Sequence, residues 1–133
     1  MARIGRLLAA VVAGAVPPPA PAAAGEGPWR ALAEERARRN PVPRSEGARD
    51  GWRLFDLNCR FCHGPAGKGD GPGAAALNPK PRDLTDPAVQ GQTDGELFWK
   101  ISEGWGAMPP WQQLPPNMRW NPAHYIHSLG APR

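Results

Sequence analysis

Apolar residues recur at helical spacing in the stretch that leads to the first cysteine. Four of them are separated by four, three and four positions: Ala48, Trp52, Phe55 and Cys59. This spacing predicts a helix over residues 46–60 with these four side chains in one buried stripe. Ser45 is suited to cap the helix, because its hydroxyl can accept a hydrogen bond from a backbone N–H of the first turn. Gly51 lies inside the pattern at a propensity cost of ~1 kcal/mol, so we expect another helix to cross closely there.

A second amphipathic stretch follows a capping signal. Thr93 is followed three residues later by Glu96, which is the spacing of a capping box. The pattern predicts a helix over residues 94–103 that ends at Gly104, since glycine commonly terminates a helix. Three apolar residues should form its buried face: Leu97, Phe98 and Ile101.

The end of the chain combines core residues with a proline. Four side chains there are suited to a core: Trp120, Tyr125, Ile126 and Leu129. Pro122 cannot donate a helical hydrogen bond and would kink a helix that contained it. Asn121 could instead cap a shorter helix that has Pro122 at its first position. The sequence therefore predicts a terminal helix that stops at Gly130, and it leaves the start of that helix open.

Glycine and proline are abundant between the first two predicted helices. The chain has 16 glycines and 18 prolines among 133 residues, and the run from Gly64 to Gly73 contains too many of them for a helix or a strand. One short turn is expected near residues 74–77, and residues 78–81 should be extended. A chain of this length forms one domain at most, and its own core would be marginal.

The first 24 residues have the pattern of a secretory signal peptide. Arg3 and Arg6 form a charged start, residues 7–16 form an apolar run, and residues 22–24 offer a small-residue cleavage site before Gly25. The apolar run is too short to cross a bilayer, which disfavours an uncleaved anchor. The sequence therefore predicts an exported, periplasmic protein.

Residues 25–44 form a basic segment before the main domain. Good helix formers over residues 29–39 predict a helical arm, and the prolines at positions 41 and 43 should end it. A solvated arm without a function is the favoured interpretation, and a docking arm for a larger complex is the alternative. The domain proper is then expected over residues 45–133.

The net charge of +4 comes mainly from the leader and this arm. Residues 45–133 contain nine basic and nine acidic residues, so that part of the chain is neutral. No basic stripe suited to nucleic acid is present.

The chemistry of the chain centres on Cys59-Arg60-Phe61-Cys62-His63. Cys-x-x-Cys-His is the attachment signature of a c-type haem, because two thiols at this spacing can each form a thioether to one vinyl group. The adjacent His63 can then bind the iron axially. A redox dithiol is an alternative, but no βαβ context is visible. A zinc site is another, and its fourth ligand would have to be His124 or His127.

Met108 is the main candidate for the opposite axial position. It lies on a loop fixed by glycines and prolines, Gly104-Trp105-Gly106-Ala107-Met108-Pro109-Pro110, downstream of the haem histidine. A thioether there could cover the second face of the haem. Met118, His124 and His127 are the competitors, although Met118 is interpreted as packing and both histidines as surface or partly buried residues.

Three runs of residues together resemble the class I c-type cytochromes, which are small monohaem electron carriers. They are Gly51-x-x-Leu54-Phe55-x-x-x-Cys59-x-x-Cys62-His63-Gly64, Gly106-x-Met108-Pro109-Pro110, and Tyr125-Ile126-x-x-Leu129. The resemblance implies an all-α cytochrome c fold, with three to four short helices and long loops wrapped around one covalent haem. It implies that the terminal helices cross near Gly51 and Tyr125, and that His63 and Met108 are the axial ligands.

The resemblance also implies a backbone carbonyl that accepts a hydrogen bond from Nδ1 of His63, with Pro79 or Pro81 as its source. Pro122 departs from the uninterrupted terminal helix that is usual in the family. The implied function is outer-sphere electron transfer between redox partner proteins, without catalysis and without a small-molecule substrate. The candidate partners are a membrane respiratory complex and a periplasmic dehydrogenase. Two alternatives stay open: a haem domain that binds a gas or peroxide at a labile sixth position, and a cytochrome subunit of a larger oxidoreductase complex.

Overall fold

A computed structural model describes residues 29–131, so the predicted signal peptide lies outside the described part of the chain. The described residues form α1 (Ala33–Arg36), α2 (Arg44–Asn58), α3 (Arg60–His63), a 3-10 helix (Ala74–Ala76), α4 (Pro87–Gln90), α5 (Asp94–Glu103) and α6 (Pro116–Leu129). Within this range the only β-type pairing is an isolated bridge between Trp105 and Met108. The expectation of an all-α fold is confirmed. Three of the helices, α2, α5 and α6, are long enough to build a core, and the others are single turns.

The two longest helices, α2 and α6, cross at Gly51. A Cβ built on Gly51 would overlap the backbone carbonyl of Asn121 and would lie 3.0 Å from the Cβ of Tyr125. Only a residue without a side chain allows the two backbones to approach this closely. The crossing expected near Gly51 and Tyr125 is therefore confirmed.

The buried face of α2 differs from the predicted stripe. Gly47, Gly51 and Phe55 are buried, whereas Trp52 is 51% exposed. Because α6 packs along the line of the two glycines, the buried line has a spacing of four residues, and Trp52 is rotated away from it. Phe55 anchors this face, with its ring centroid 5.1 Å from that of Tyr125.

One hydrophobic core joins α2, α5 and α6 with α4 and the loop that precedes it. Its buried members are Phe55, Leu84, Val89, Leu97, Ala123 and Ile126. Cys59 and Ile101 are partly buried and pack against it. The first cysteine of the haem motif is thus part of the wall of the core.

Helix α5 has the predicted bounds, from Asp94 to Glu103. The Thr93 hydroxyl accepts a hydrogen bond from the backbone N–H of Glu96 at 3.1 Å, and Gly104 ends the helix with φ +63°. The Glu96 carboxylate forms ion pairs with Arg36 and Lys100, each at 3.4 Å. The cap was therefore predicted correctly, while the Glu96 carboxylate pairs with the buried Lys100 and the exposed Arg36.

Helix α6 begins at Pro116, six residues before the position suggested by Pro122. Pro116 takes the first helical position, where its missing N–H costs nothing. Pro122 lies inside the helix and is buried. Pro122 also lines the large cavity described below.

The described part of the segment before α2, residues 29–43, packs on the domain and does not extend into solvent as a helical arm. Within these residues the one helical turn is α1, which is shorter than the predicted helix over residues 29–39. Ala31 is 7% exposed, the Thr93 hydroxyl donates to the Arg36 carbonyl at 2.7 Å, and the Asn40 amide donates to Asp94 at 2.9 Å. Polar groups of this segment thus bind α5 at several points, which holds most of it in an extended path.

Candidate haem site

A cavity of about 450 Å³ lies between the three long helices and two loops. Its wall is mostly apolar and includes Phe55, Leu97 and Ile126 from the core. Residues of the Cys-x-x-Cys-His motif, of the 77–84 loop and of the loop after α5 complete the lining. Cavities of this size and character are typical of sites for small organic ligands and cofactors.

The haem motif lies where α2 gives way to α3. Cys59 ends α2, and its carbonyl accepts hydrogen bonds from the backbone N–H groups of Cys62, at 3.2 Å, and His63, at 2.9 Å. Gly64 follows with φ +79°, a conformation that glycine adopts without strain. This single turn directs Cys59, Cys62 and His63 into the same cavity.

A backbone carbonyl orients His63, and it belongs to Arg82. Nδ1 of His63 lies 3.2 Å from the Arg82 carbonyl oxygen. Because a carbonyl only accepts, Nδ1 carries the proton and Nε2 keeps a free lone pair for a metal. The carbonyl was expected to come from Pro79 or Pro81, and that prediction was wrong. The carbonyl of Arg82, the residue after Pro81, takes this place. Both prolines line the cavity instead.

The loop position is set by hydrogen bonds that sequence patterns do not reveal. The Leu84 N–H donates to the Gly67 carbonyl at 2.7 Å, and the Gly69 N–H donates to the His63 carbonyl at 2.8 Å. The first bond joins the two ends of the loop to each other, and the second joins the loop to the backbone of His63. Burial lowers the pKa of His63, and the Arg82 carbonyl opposes this effect in part. The imidazole is therefore kept neutral, which is the form that binds metal ions.

Both cysteines are free thiols. Burial raises the pKa of the Cys59 thiol to about 11, and the neighbouring Cys62 adds to the rise. A redox dithiol requires a thiol with a lowered pKa, so the surroundings of Cys59 disfavour that alternative. Within residues 29–131, no group of three or more histidine, cysteine or carboxylate side chains is arranged to hold a metal ion. His124 and His127, the candidates for a fourth zinc ligand, do not line the cavity that Cys59 and Cys62 line, and this placement disfavours the zinc alternative.

Met108 lines the same cavity as His63. Its loop is closed by two backbone hydrogen bonds between Trp105 and Met108, each 3.0 Å long. Gly104 and Gly106 have φ of +63° and +58°, so the loop uses glycine at both left-handed positions. Met118 also reaches the cavity from α6.

The two remaining histidines face another part of the molecule. His124 is 6% exposed, and its Nε2 donates to the Val42 carbonyl at 2.8 Å. Nε2 of His127 lies 3.0 Å from a carboxylate oxygen of Asp94. Neither histidine lines the cavity. The prediction of a surface or partly buried position is wrong for His124, because residues 40–43 and α2 cover it.

Comparison with known proteins identifies the family. A sequence profile described as cytochrome c oxidase, cbb3-type, subunit III matches residues 46–126. This chain belongs to that family. It is a c-type cytochrome, and its function is electron transfer through a c-type haem.

The cytochrome is similar to parts of larger proteins. It is 36% identical over 94 residues to the FixP subunit of the cbb3-type cytochrome c oxidase of Bradyrhizobium diazoefficiens, over 68% of this chain and 30% of FixP. It also resembles a chain of the solved Kuenenia stuttgartiensis reducing HAO-like protein complex, with a TM-score of 0.60 and 27% identity. That likeness covers 68% of this chain and 47% of the other. The cytochrome thus spans less than half the length of either relative.

The cavity of the cytochrome has the chemical character that a haem requires. Apolar side chains suit the macrocycle, and four basic side chains also reach the cavity: Lys80, Arg82, Lys100 and Arg119. Guanidinium and ammonium groups complement the two propionates of a haem. The thiols, the neutral imidazole and the thioether are the donor groups that c-type haem uses. The residues present therefore fit the group.

One cavity residue of the cytochrome was missed by sequence reasoning. Trp29 lines the cavity, although it belongs to the segment interpreted as a solvated arm. A tryptophan in a charged stretch is itself a signal, because large aromatic side chains are buried to a high degree on average. No spacing pattern connects Trp29 to the haem motif, so its position could not be derived.

None of the helices within residues 29–131 combines the length and the apolar character that crossing a bilayer requires.

Proposed function

We propose that the mature cytochrome carries one haem, held covalently by Cys59 and Cys62, and exchanges electrons with redox partner proteins outside the cytoplasm. In this proposal His63 and Met108 would bind the haem iron. When bound, the haem supplies a one-electron iron couple. The protein binds no substrate and makes or breaks no bond in a partner, so it acts as a carrier and not as an enzyme.

One observation carries this proposal. Cys59, Cys62, His63 and Met108 line a single cavity, although Met108 is far from the other three along the chain. The Met108 loop is closed by two backbone hydrogen bonds and has left-handed glycines at positions 104 and 106, so the backbone of Met108 is held at the cavity wall. The same cavity has the apolar lining and the basic side chains that a haem with two propionates needs.

Each residue has a distinct chemical role. Cys59 and Cys62 would hold the haem through two thioethers, each made by addition of one S–H across one vinyl group, with the hydrogen going to the other vinyl carbon. His63 presents Nε2, because its Nδ1–H is held by the Arg82 carbonyl. Met108 presents a neutral, soft thioether, and a His/Met pair favours the reduced state.

The chain is divided in this proposal into three parts. Residues 1–24 are a signal peptide that is removed on export, residues 25–44 are a segment that precedes the cytochrome, and residues 45–133 are the cytochrome domain. The charged start, the short apolar run and the small residues before Gly25 support the first boundary. The haem motif supports export as well, because c-type haem is attached after export in bacteria.

A second candidate is a cytochrome subunit of a larger oxidoreductase complex. The observation that favours it is the likeness to an oxidase subunit and to a chain of a protein complex. The two candidates share the same haem chemistry and differ in how long the partner stays bound. Gentle purification of the native protein followed by size-exclusion chromatography distinguishes the two candidates. A free carrier should elute at the mass of the mature chain, which is below the 14.3 kDa of the full sequence. A subunit should elute together with its partners at a larger mass.

The haem assignment is tested by extraction. Acid-acetone should leave one haem per chain on the purified protein, because thioether bonds survive acid. Cys59→Ser with Cys62→Ser should leave no covalent haem, and Met118→Ala should leave it in place as a matched control for a change in the cavity wall. Purified protein that contained zinc and no haem would contradict the proposal.

A further inference from the structure

The segment before α2 lies outside the residues that match the family, which begin at position 46. It nevertheless reaches the cavity through Trp29. The Trp29 ring stacks on the ring of Trp105, with centroids 5.9 Å apart and an interplanar angle of 17°. The first described residue of the chain therefore contacts the loop that carries Met108.

Trp105 is coupled directly to Met108. Its N–H donates to the Met108 carbonyl and its carbonyl accepts from the Met108 N–H, both at 3.0 Å. The backbone of Gly104 also lies close to that of Met108, because a Cβ built on Gly104 would lie 2.5 Å from the Met108 carbonyl oxygen. A displacement of Trp105 therefore moves the backbone of Met108.

The loop that carries Met108 is largely exposed around its turn. Trp105 is 47% exposed even with the stack in place, and both Gly106 and Ala107 are exposed. A Cβ on Gly106 would meet no atom within 4 Å. The loop thus stands at the surface, and the Trp29 ring is a packing partner on its inner side.

Trp29 is itself held in place. The Lys100 ammonium lies 5.2 Å from the centroid of its ring, in the arrangement of a cation–π contact. Further along the segment, Ala31 is buried and Arg36 pairs with the buried carboxylate of Glu96 at 3.4 Å. The tryptophan is therefore fixed to α5, the helix that precedes the Met108 loop.

We propose that Trp29 is a positioning residue for Met108: its stack on Trp105 holds the loop closed and keeps the thioether at the haem. This rests on the proposed function, in which Met108 is the sixth ligand. The segment before the family match is then a strap that secures the ligand loop, and its role is internal to the domain. A stacked aromatic pair changes an equilibrium by about two- to tenfold, which sets the size of the expected effect.

Carbon monoxide binding to the reduced, haem-loaded protein measures loop opening, because the gas binds only when the sulfur leaves the iron. Trp29→Ala should raise the rate and the apparent affinity of carbon monoxide binding by about two- to tenfold. It should also lower the reduction potential, since a weaker sulfur bond favours the reduced iron less. Haem content should stay at one per chain.

Two further variants separate stacking from other roles of Trp29. Its indole Nε1 is buried without a hydrogen-bond partner, so Trp29→Phe removes the N–H and keeps a ring that can stack. This variant should restore slow carbon monoxide binding. Trp52→Ala removes an exposed tryptophan of α2 and should behave like the unaltered protein.

The outcomes distinguish this inference from the proposed function. If Met108→Ala opens the iron to carbon monoxide and Trp29→Ala does not, the positioning role is wrong and the ligand assignment stands. Trp29→Phe behaving like Trp29→Ala would also overturn the stacking role. If the unaltered reduced protein binds carbon monoxide rapidly, the ligand assignment itself fails.

Discussion

Gly51 of α2 lies directly against the backbone carbonyl of Asn121 in α6, so close that a Cβ would overlap the oxygen. The obstacle is backbone, which cannot rotate out of the way as a side chain can. Tyr125 closes the other side, 3.0 Å from the position of the same Cβ. This contact sets the distance between the two longest helices and hence the shape of the cavity that they help to enclose.

Replacement of Gly51 should therefore destabilise the fold. Gly51→Leu is expected to lower the free energy of unfolding by ~1–3 kcal/mol, because overpacking forces α2 and α6 apart. Denaturant unfolding of the haem-loaded protein measures this change. Gly91→Leu is the matched control, since Gly91 is exposed and its Cβ would meet only the Pro87 carbonyl, at 3.3 Å. Equal stability of the two variants would place the critical contact elsewhere.

The sixth ligand is tested by comparing the two methionines of the cavity. Met108→Ala should allow the reduced protein to bind carbon monoxide readily and should lower the reduction potential, because water or another weak ligand replaces sulfur. Met118→Ala should do neither, although Met118 also lines the cavity. Absorption spectra and potentiometric titration measure both effects.

The histidines of α6 provide a further control for this experiment. His124→Ala and His127→Ala should leave the spectrum of the haem unchanged, because both side chains bond to groups away from the cavity. Rapid carbon monoxide binding by the unaltered reduced protein at neutral pH would support the alternative function, a domain that binds a gas or peroxide.

The buried ion pair between Glu96 and Lys100 should contribute to stability. Its side chain is 3% exposed and lies 3.4 Å from Lys100, whose side chain is 9% exposed. Glu96→Gln removes the charge that compensates the buried ammonium, and we expect a loss of about 1–3 kcal/mol in the free energy of unfolding. Asp56→Asn, which breaks the exposed pair with Arg60, should cost under about 1 kcal/mol. Thermal unfolding at one pH compares the two, and equal effects would argue against a stabilising role of the buried pair.

Processing of the leader gives a prediction that is independent of the haem. Mass spectrometry of protein recovered from the exporting host should find an N-terminus near Gly25, because the small residues before it suit a signal peptidase. Protein that begins at Met1 and sediments with membranes would instead indicate an uncleaved anchor. A variant with bulky residues at positions 22 and 24 should accumulate in the unprocessed form.

The sequence by itself determined the local chemistry. The spacing of Cys59, Cys62 and His63 is a property of one helical turn, so it could be interpreted without knowledge of the rest of the chain. The same holds for the two ends of α5. The Thr93 side chain caps a backbone N–H three residues away, and Gly104 ends the helix because glycine can adopt a positive φ. Gly51 could be predicted as a crossing point because a glycine inside a helix needs a reason beyond propensity.

Only the tertiary structure decided which distant groups meet. The carbonyl that orients His63 comes from Arg82, and the choice among neighbouring carbonyls depends on the path of a long loop. Trp52 was expected to be buried and is exposed on α2, whereas Trp29 was expected in a solvated arm and lines the cavity. These positions follow from the packing of segments far apart in sequence, and burial there is settled by the shape of the whole core, which no local pattern encodes.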